Sequence, residues 1–451
     1  MKASARQLRT GKPAADKARL LALDLLGQWN NTGLDREELL NACLPRDRAL
    51  VKNLVSGTLR MRGLIDYYLD HFLKTGKGAL PGRVLDILRL AVFQLRFCDR
   101  IPDYAVVNEA VELARPLYLG RYVPLVNAVL RGFLREGGKI ALPRREDYPA
   151  HFLAVKHSHP RWLVGRYLKR FGFEGTESLL KANNVQAPLT VRVRSPETVR
   201  AFREAGLETR KGAWAPEALA VGRRLVPSRL PGYGQGLFYV QDEAQMLVGR
   251  LAAPQPGATV ADLCAAPGGK ATHLAELAGP DALVVAADTG AGGLEKLREN
   301  LDRLRLSCVR LVAADARRPA VRRADTVLCD VPCSGSGVLR RKPELRWRIQ
   351  PQSLKRFTRL QREIISAACR CVAPGGVLVY STCSLEPEEN SQVIDWFLAS
   401  TADFVLEHAQ KYLGQAPVSE RGFLETFPHL HGTDGVFAAR LRRKEGARAG
   451  K

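Results

Sequence analysis

Between residues 16 and 135 the apolar side chains recur three and four positions apart, the spacing of one helix face. The run from Asp16 to Leu26 has this period. So does the run from Arg48 to Val55, which continues through Leu59 towards Leu64 and Tyr68. The same reading predicts helices over Gly82–Arg96, Tyr104–Ala114 and Val123–Arg135. Glycine and proline punctuate the pattern at Gly76–Pro81 and at Ile101-Pro102. The expected result is an all-α helical bundle within residues 1–140.

A basic, proline-punctuated stretch follows from Pro143 to Pro160. Helical spacing returns over Pro160–Phe171 and Glu174–Ala182, Leu189–Arg194 alternates as a strand, and Pro196–Ala205 reads as a helix. Residues 145–240 are therefore expected to form a small α+β domain. From Pro256 short apolar runs appear at Thr259–Leu263, Ala282–Ala287, Val309–Ala313, Asp325–Cys329 and Gly376–Tyr380. Helical stretches, among them Gly293–Arg305 and Gln352–Val372, lie between several of them. That alternation predicts a doubly wound parallel sheet, a Rossmann-like α/β domain over 241–443. Residues 444–451 form a basic tail, expected to be disordered. The chain is thus read as multidomain, without internal repeats.

Charge narrows the partner. The 451 residues carry 69 Lys plus Arg against 46 Asp plus Glu, a formal charge of +23, which favours a polyanion. Charge alone does not separate RNA from DNA or from an anionic membrane. No apolar run approaches the roughly 18 residues that span a bilayer, and Met1 to Arg19 lacks the apolar segment of a secretory signal. A cytoplasmic protein, with no membrane association, is expected. The nine cysteines are Cys43, Cys98, Cys264, Cys308, Cys329, Cys333, Cys369, Cys371 and Cys383. Their odd number argues against a disulfide framework, and the absence of any C-x2-C pair argues against structural zinc. No metal is expected.

Three constellations carry chemistry. The first is Asp262-Leu263-Cys264-Ala265-Ala266-Pro267-Gly268-Gly269-Lys270, which follows a strand and opens a helix. Its glycines admit a ligand that a Cβ would exclude, and the helix start offers free N–H groups. Asp288 ends the next strand about 20 residues on, where an acid can accept both hydroxyls of a ribose. Asp315 could reach an adenine amino group. The loop lacks G-x-G-x-x-G, which disfavours a nicotinamide dinucleotide. The second constellation is Asp330-Val331-Pro332-Cys333-Ser334-Gly335-Ser336-Gly337, and the third is Tyr380-Ser381-Thr382-Cys383-Ser384. Both stand at strand ends, so a carboxylate and two thiols are expected in one cleft.

Two thiols and an acid suit one reaction in particular. Carbon 5 of cytosine does not attack a sulfonium methyl unaided, whereas a thiolate added to carbon 6 converts the ring to an enamine that does. An acid near ring nitrogen 3, for which Asp330 is the candidate, would drain charge as the thiolate adds. A base must then remove the carbon 5 proton, and Cys333 is a candidate for assisting that release. Chemistry alone leaves open which thiol attacks.

These blocks resemble the RsmB-type (Sun or Fmu) family of bacterial ribosomal RNA cytosine-C5 methyltransferases. The resemblance rests on Gln241-Asp242-Glu243-Ala244, on Asp262 through Lys270, on Asp330 through Gly337, on Tyr380 through Leu385 with Glu389-Asn390, and on Gly432 through Ala439. It implies a class I S-adenosylmethionine-dependent methyltransferase domain. It further implies that Cys383 is the nucleophile, Cys333 the helper in release, and Asp330 a neighbour of the target base. Cys264, Ala265, Ala266, Pro267, Gly268, Gly269 and Lys270, with Asp288, Asp315 and Asp330, would hold S-adenosyl-L-methionine. The amino-terminal half looks like the family's NusB-like RNA-binding domain, through Arg46–Val51, Leu54–Gly57, Asn108–Val111 and Val126–Arg131. The implied partner is 16S ribosomal RNA of the small subunit, and a monomer is expected. Arg194 stands where the family usually has Asn, and Val331 where Ala is common.

Rival readings are weaker. A non-catalytic RNA-binding assembly factor would not need Asp330, both cysteines and an intact glycine loop. An adenine or amine methyltransferase favours N/D-P-P-aromatic, and here Cys333 replaces the second proline. A DNA cytosine methyltransferase would attack with Cys333 and leave Cys383 without a role. A C5 methyltransferase acting on another RNA is the nearest alternative.

Overall fold

The computed structural model describes residues 16–31, 44, 46–74, 76–116, 119–222 and 226–446. Cys43 and most of the basic tail lie outside them. The chain divides into two compact units, Met1–Leu180 and Lys181–Lys451.

In the first unit, α1 (Lys17–Asn31), α2 (Arg48–Phe72), α3 (Gly82–Phe97), α4 (Asp103–Ala114) and α5 (Val123–Glu136) follow the apolar spacing, and α6 (Pro149–Lys156) forms within the basic, proline-punctuated stretch, where no helix is expected. Leu23, Leu54, Ile65, Leu69, Leu88, Val92, Val126 and Leu130 meet in one core. Helix α3 is buried on every side from Val84 to Gln94, the mark of a central helix. Its Arg89 is buried too, and is neutralised by Asp66 (2.7 and 2.9 Å) and Asp86 (3.0 Å). The two helices expected around residue 172 form and run end to end as α7 (Arg161–Asn184), parted by a kink at Gly172, whose φ of 66° is a conformation glycine adopts without strain.

The second unit contains two sheets. The smaller has the order β2-β3-β1-β4, from β1 (Leu189–Val193), β2 (Thr209–Lys211), β3 (Ala218–Val221) and β4 (Phe238–Val240), all antiparallel. Helix α8 (Pro196–Glu204), capped by Ser195, contributes Phe202 to the core with Val191 and Phe238.

The larger sheet has the order β10-β12-β9-β8-β5-β6-β7, with β11 paired to β12. Strands β5 (Thr259–Asp262), β6 (Leu283–Asp288), β7 (Val309–Ala313), β8 (Ala324–Asp330) and β9 (Val372–Thr382) are parallel. Strands β10 (Phe404–Glu407), β11 (Leu424–Thr426) and β12 (Val436–Arg443) run antiparallel to their partners. Its helices include α9 (Glu243–Ala252), α10 (Gly269–Ala278), α11 (Ala291–Leu304), α12 (Pro351–Ala368) and α13 (Ser391–Ser400). Two apolar clusters, one holding Leu247, Leu274 and Leu297 and the other Ile365, Leu378 and Phe397, form the core. Strand order reverses beside β5, whose neighbours are β6 and β8. A ligand crevice lies beyond the carboxyl ends of strands at such a point.

Arg192, on β1 and 1 % exposed, fastens the small sheet to this domain. It donates to both oxygens of Glu276 (2.8 and 2.9 Å), to Thr272 (3.0 Å) and to the Gly269 carbonyl (2.9 Å). The atypical Arg194 shares Glu276, at 2.7 Å, and donates to the Gly236 carbonyl. Among the described residues, no helix is long and apolar enough to cross a membrane.

Candidate active site

Five strand ends deliver the candidate residues. Asp262 closes β5 and leads into the glycine loop. The loop's backbone is strapped to β6, since Ala265 N donates to the Ala287 carbonyl (2.9 Å) and Ala266 N donates to the Asp288 carboxylate (3.0 Å). The other oxygen of Asp288 accepts from Gly290 N. The Ala266-Pro267 bond is cis, and Pro267 is exposed. Gly268 has φ 111°, and a Cβ there would lie 2.3 Å from Leu297 Cδ1. Gly269 starts α10, whose first N–H groups have no partner within the helix. Lys270, the second residue of that helix, reaches across to Asp330 on β8 (2.7 Å) and also donates to Gln245. Asp315, beyond β7, is held by Arg317 through three side-chain bonds of 2.6, 3.0 and 3.1 Å. Those bonds keep its carboxyl below the usual range.

Asp330 and the two thiols come together. Asp330 accepts from Lys270 on one oxygen and from Ser381 on the other (2.8 Å). Cys333 and Cys383 are both partly exposed, with their sulfurs 3.3 Å apart. The thiols differ in acidity. The hydrogen bond from Cys333 holds Cys383 below the ordinary thiol value, against burial and the charge of Asp330, and with help from Lys270 and Lys342. The same bond, then burial, then the charges of Cys383, Glu389 and Asp330 push Cys333 well up. The other described cysteines, Cys98, Cys264, Cys308, Cys329, Cys369 and Cys371, are all raised by burial first. Cys383 is the one described thiol favoured as thiolate, the form that attacks.

Sequence reasoning did not single out the supports beneath these loops. Glu389 is fully buried and accepts from Ser334 N (2.8 Å), from the hydroxyls of Ser334 and Ser384 (2.5 Å each) and from Gln361 (3.1 Å). Gln361, on α12, also donates to the Pro332 carbonyl (3.0 Å). A backbone chain runs behind the thiols: Gly337 N donates to the Cys383 carbonyl (2.9 Å), and Gly435 N donates to the Gly337 carbonyl (2.8 Å). The sequence marks Glu389 through the motif pair Glu389-Asn390, which gives it no role.

Asp262 opens the first constellation, but sequence reasoning assigns it no role of its own. It is 1 % exposed, and its Oδ2 has no hydrogen-bond partner. Burial, then the charge of Asp330, lifts its carboxyl to about 7. An orphaned buried acid beside Asp288 and Asp330 fits a cationic ligand. S-adenosylmethionine carries a sulfonium and an ammonium, and its ribose has hydroxyls for Asp288, so the residues present fit it.

A doubly wound sheet with a glycine loop on its first strand, acids on the next two and a thiol pair beyond defines an S-adenosylmethionine-dependent methyltransferase. Comparison with known proteins carries this further. Residues 250–442 match the family described as 16S rRNA methyltransferase RsmB/F, residues 159–226 the RsmF/B-like ferredoxin-like domain, and residues 16–135 the NusB family. A probable ribosomal RNA small subunit methyltransferase B of Bacillus subtilis is 34% identical over 440 residues, 94% of this chain and 97% of that protein. The ribosomal RNA small subunit methyltransferase B of Vibrio cholerae is 37% identical over 371 residues, 80% of this chain and 83% of that protein. The crystal structure of PH0851 superposes with a TM-score of 0.80 at 27% identity, covering 95% of this chain and 98% of that one. The chain belongs to the RsmB/F family of 16S ribosomal RNA methyltransferases. Its methyl donor is S-adenosyl-L-methionine and its substrate is ribosomal RNA.

Proposed function

We propose that this enzyme methylates carbon 5 of a cytosine in 16S ribosomal RNA, with Cys383 as covalent catalyst and Cys333 as the residue that releases the product. The observation that carries the reading is a pair of thiols 3.3 Å apart at the ends of neighbouring strands. The Lys270–Asp330 ion pair lies beside them.

Cys383 adds as thiolate to carbon 6, and the displaced ring electrons are drawn towards nitrogen 3, where Asp330 and its Lys270 partner share a proton with the base. Carbon 5 thereby becomes nucleophilic. The bound donor supplies an electrophilic methyl group. Cys333 holds its proton in the free site chiefly because that proton bonds Cys383. Once the sulfur of Cys383 carries a ring carbon, that bond and the thiolate charge are gone. Cys333 then loses its proton to solvent, takes the carbon 5 proton as base, and Cys383 leaves as thiolate. Asp288 and the 264–270 loop orient the donor, and Asp315 joins them if Arg317 swings away.

The NusB-like domain, taken as 1–140, and the middle domain, 145–240, grip RNA phosphates through Lys and Arg, ahead of the catalytic domain, 241–443. The target base enters unstacked, which costs a few kcal/mol from a duplex and less from a loop. The enzyme works as a monomer in the cytoplasm.

The test is adduct trapping with ribosomal RNA and labelled donor. Cys333→Ala should accumulate an RNA–protein band on a denaturing gel, while Cys383→Ala should give neither band nor transfer. A band from Cys383→Ala alone would exchange the two roles. Label found anywhere but cytosine carbon 5 would end the proposal.

A further inference from the structure

We propose that Glu389 is a positioning residue for methyl transfer: it holds the two thiol-bearing loops in register and keeps the shared proton on Cys333. The inference rests on the roles given above to Cys383 and Cys333.

The first argument is geometric. Glu389 belongs to neither loop, yet one of its oxygens accepts from the Ser334 and Ser384 hydroxyls, which directly follow Cys333 and Cys383 in the chain. The other accepts from Ser334 N and from Gln361, which itself grips the Pro332 carbonyl. The loops begin 50 residues apart, at Cys333 and Cys383, and this carboxylate ties them together beside two direct bonds, from Gly337 N to the Cys383 carbonyl and from Leu385 N to the Ser336 hydroxyl. Its own backbone is fixed from the opposite side, since the buried Tyr380 hydroxyl donates to the Glu389 carbonyl (2.6 Å). Hydrogen bonds to an ionised acceptor are roughly twice as strong as neutral ones, so the clamp is a stiff one.

The second argument is electrostatic. Among the described residues all the donors to Glu389 are neutral, and no cation pairs with it. Its charge is therefore felt by the ionisable groups around it, Cys333 and Tyr380, and opposes the ionisation of both. The charged groups that act on Cys383 are Asp330, Lys270 and Lys342, while Cys333 also faces Asp330. Tyr380, packed beneath both, is itself pushed up by burial and by these anions, and stays neutral. Two lysines thus favour an anion at Cys383, and a buried acid disfavours one at Cys333. The proton settles on Cys333, where it can donate to its neighbour.

The experiment reads the two thiols directly, without RNA. The full chain is treated with iodoacetamide across a pH series, and alkylation at Cys383 and Cys333 is followed separately by peptide mass spectrometry. The wild-type protein should react first at Cys383. Glu389→Gln should lower the Cys383:Cys333 preference about tenfold for each unit that the thiols converge. It should also move Cys333 alkylation to lower pH and cut kcat without raising KM for the donor. Glu389→Asp, which keeps the charge on a shorter arm, should preserve the preference and lose only part of kcat. A purely structural acid would lower thermal stability in both variants and leave the preference alone, and that result overturns the proposal. If Glu389→Gln does not fold, Glu389→Asp decides, because loss of preference with the charge retained is equally fatal. Failure of the covalent mechanism itself would appear in the adduct gel, not in this alkylation order.

Discussion

The sulfurs of Cys333 and Cys383 lie 3.3 Å apart, closer than any catalytic step that uses them one at a time requires. That spacing lets one thiol tune the other, and it also exposes the pair to oxidation. Peroxide should convert the Cys383 thiolate to a sulfenic acid, and Cys333 should condense with it, releasing water and leaving a disulfide. The expected result is loss of methyl transfer that dithiothreitol restores, while in Cys333→Ala peroxide should carry Cys383 on to sulfinic acid, which dithiothreitol does not reverse. Tryptic mapping under non-reducing conditions checks the bond.

Asp262 should give the stability curve a pH slope. Its carboxyl is raised to about 7 in the folded chain, so the folded state holds the proton more tightly than the unfolded one. The contribution is full at pH values below the unfolded carboxylate range, and it is lost as pH climbs towards 7. Asp262→Asn should flatten this slope and raise the melting temperature at pH 8, by up to about 4 kcal/mol of stability. The same variant should weaken donor binding, measured by calorimetry. Unchanged affinity would detach Asp262 from the donor.

Arg192 and Arg194 both lean on Glu276, and their effects should not add. Arg192→Met removes a buried, fully bonded guanidinium and should cost about 3 kcal/mol in urea unfolding. Arg194→Asn, the residue usual in the family, should cost less than about 1 kcal/mol while Arg192 remains. The double variant measures the coupling.

Gly337 has no room for a side chain. A Cβ would stand 2.2 Å from the Gly435 carbonyl oxygen and 2.8 Å from that of Cys383, and neither is a flexible group. Gly337→Ala should cost about 2–3 kcal/mol and abolish adduct formation by displacing residue 383. A stable variant with wild-type transfer would show that the backbone behind the nucleophile can yield.

RNA affinity should fall steeply with salt, with a log–log slope of about −0.7 for each phosphate neutralised on single strands. Filter binding between low and moderate salt gives the number of contacts, and an uncharged slope would remove the basic surface from the argument.

The sequence announces this site wherever chemistry coincides with a strand end. Asp262, Asp288, Asp330 and Cys383 each terminate or follow a short apolar run, so topology places them on one rim. The bundle was legible for a similar reason, since α3 and its neighbours obey a strict period. Other parts were not legible. Strands β10 and β11 span four and three residues, too few for an alternation to show. Gln361 sits on a strongly amphipathic helix, where a polar residue facing inward looks like an error in phase. Glu389 stands in a motif pair with Asn390, but only its burial among hydroxyls shows what it holds. Over Pro160–Phe171 and Glu174–Ala182 the spacing showed two helical runs, and Gly172 is the kink that parts them.

The backbone ladder from Cys383 through Gly337 to Gly435 links the nucleophile to a segment made after it in synthesis. A chain emerging from the ribosome will already contain both thiols and the donor loop while the carbonyl beside its reactive sulfur still lacks this support. Competence therefore waits for the segment from residue 435, which slots between strands completed earlier. Termination before that segment should yield inert fragments, not half-active ones.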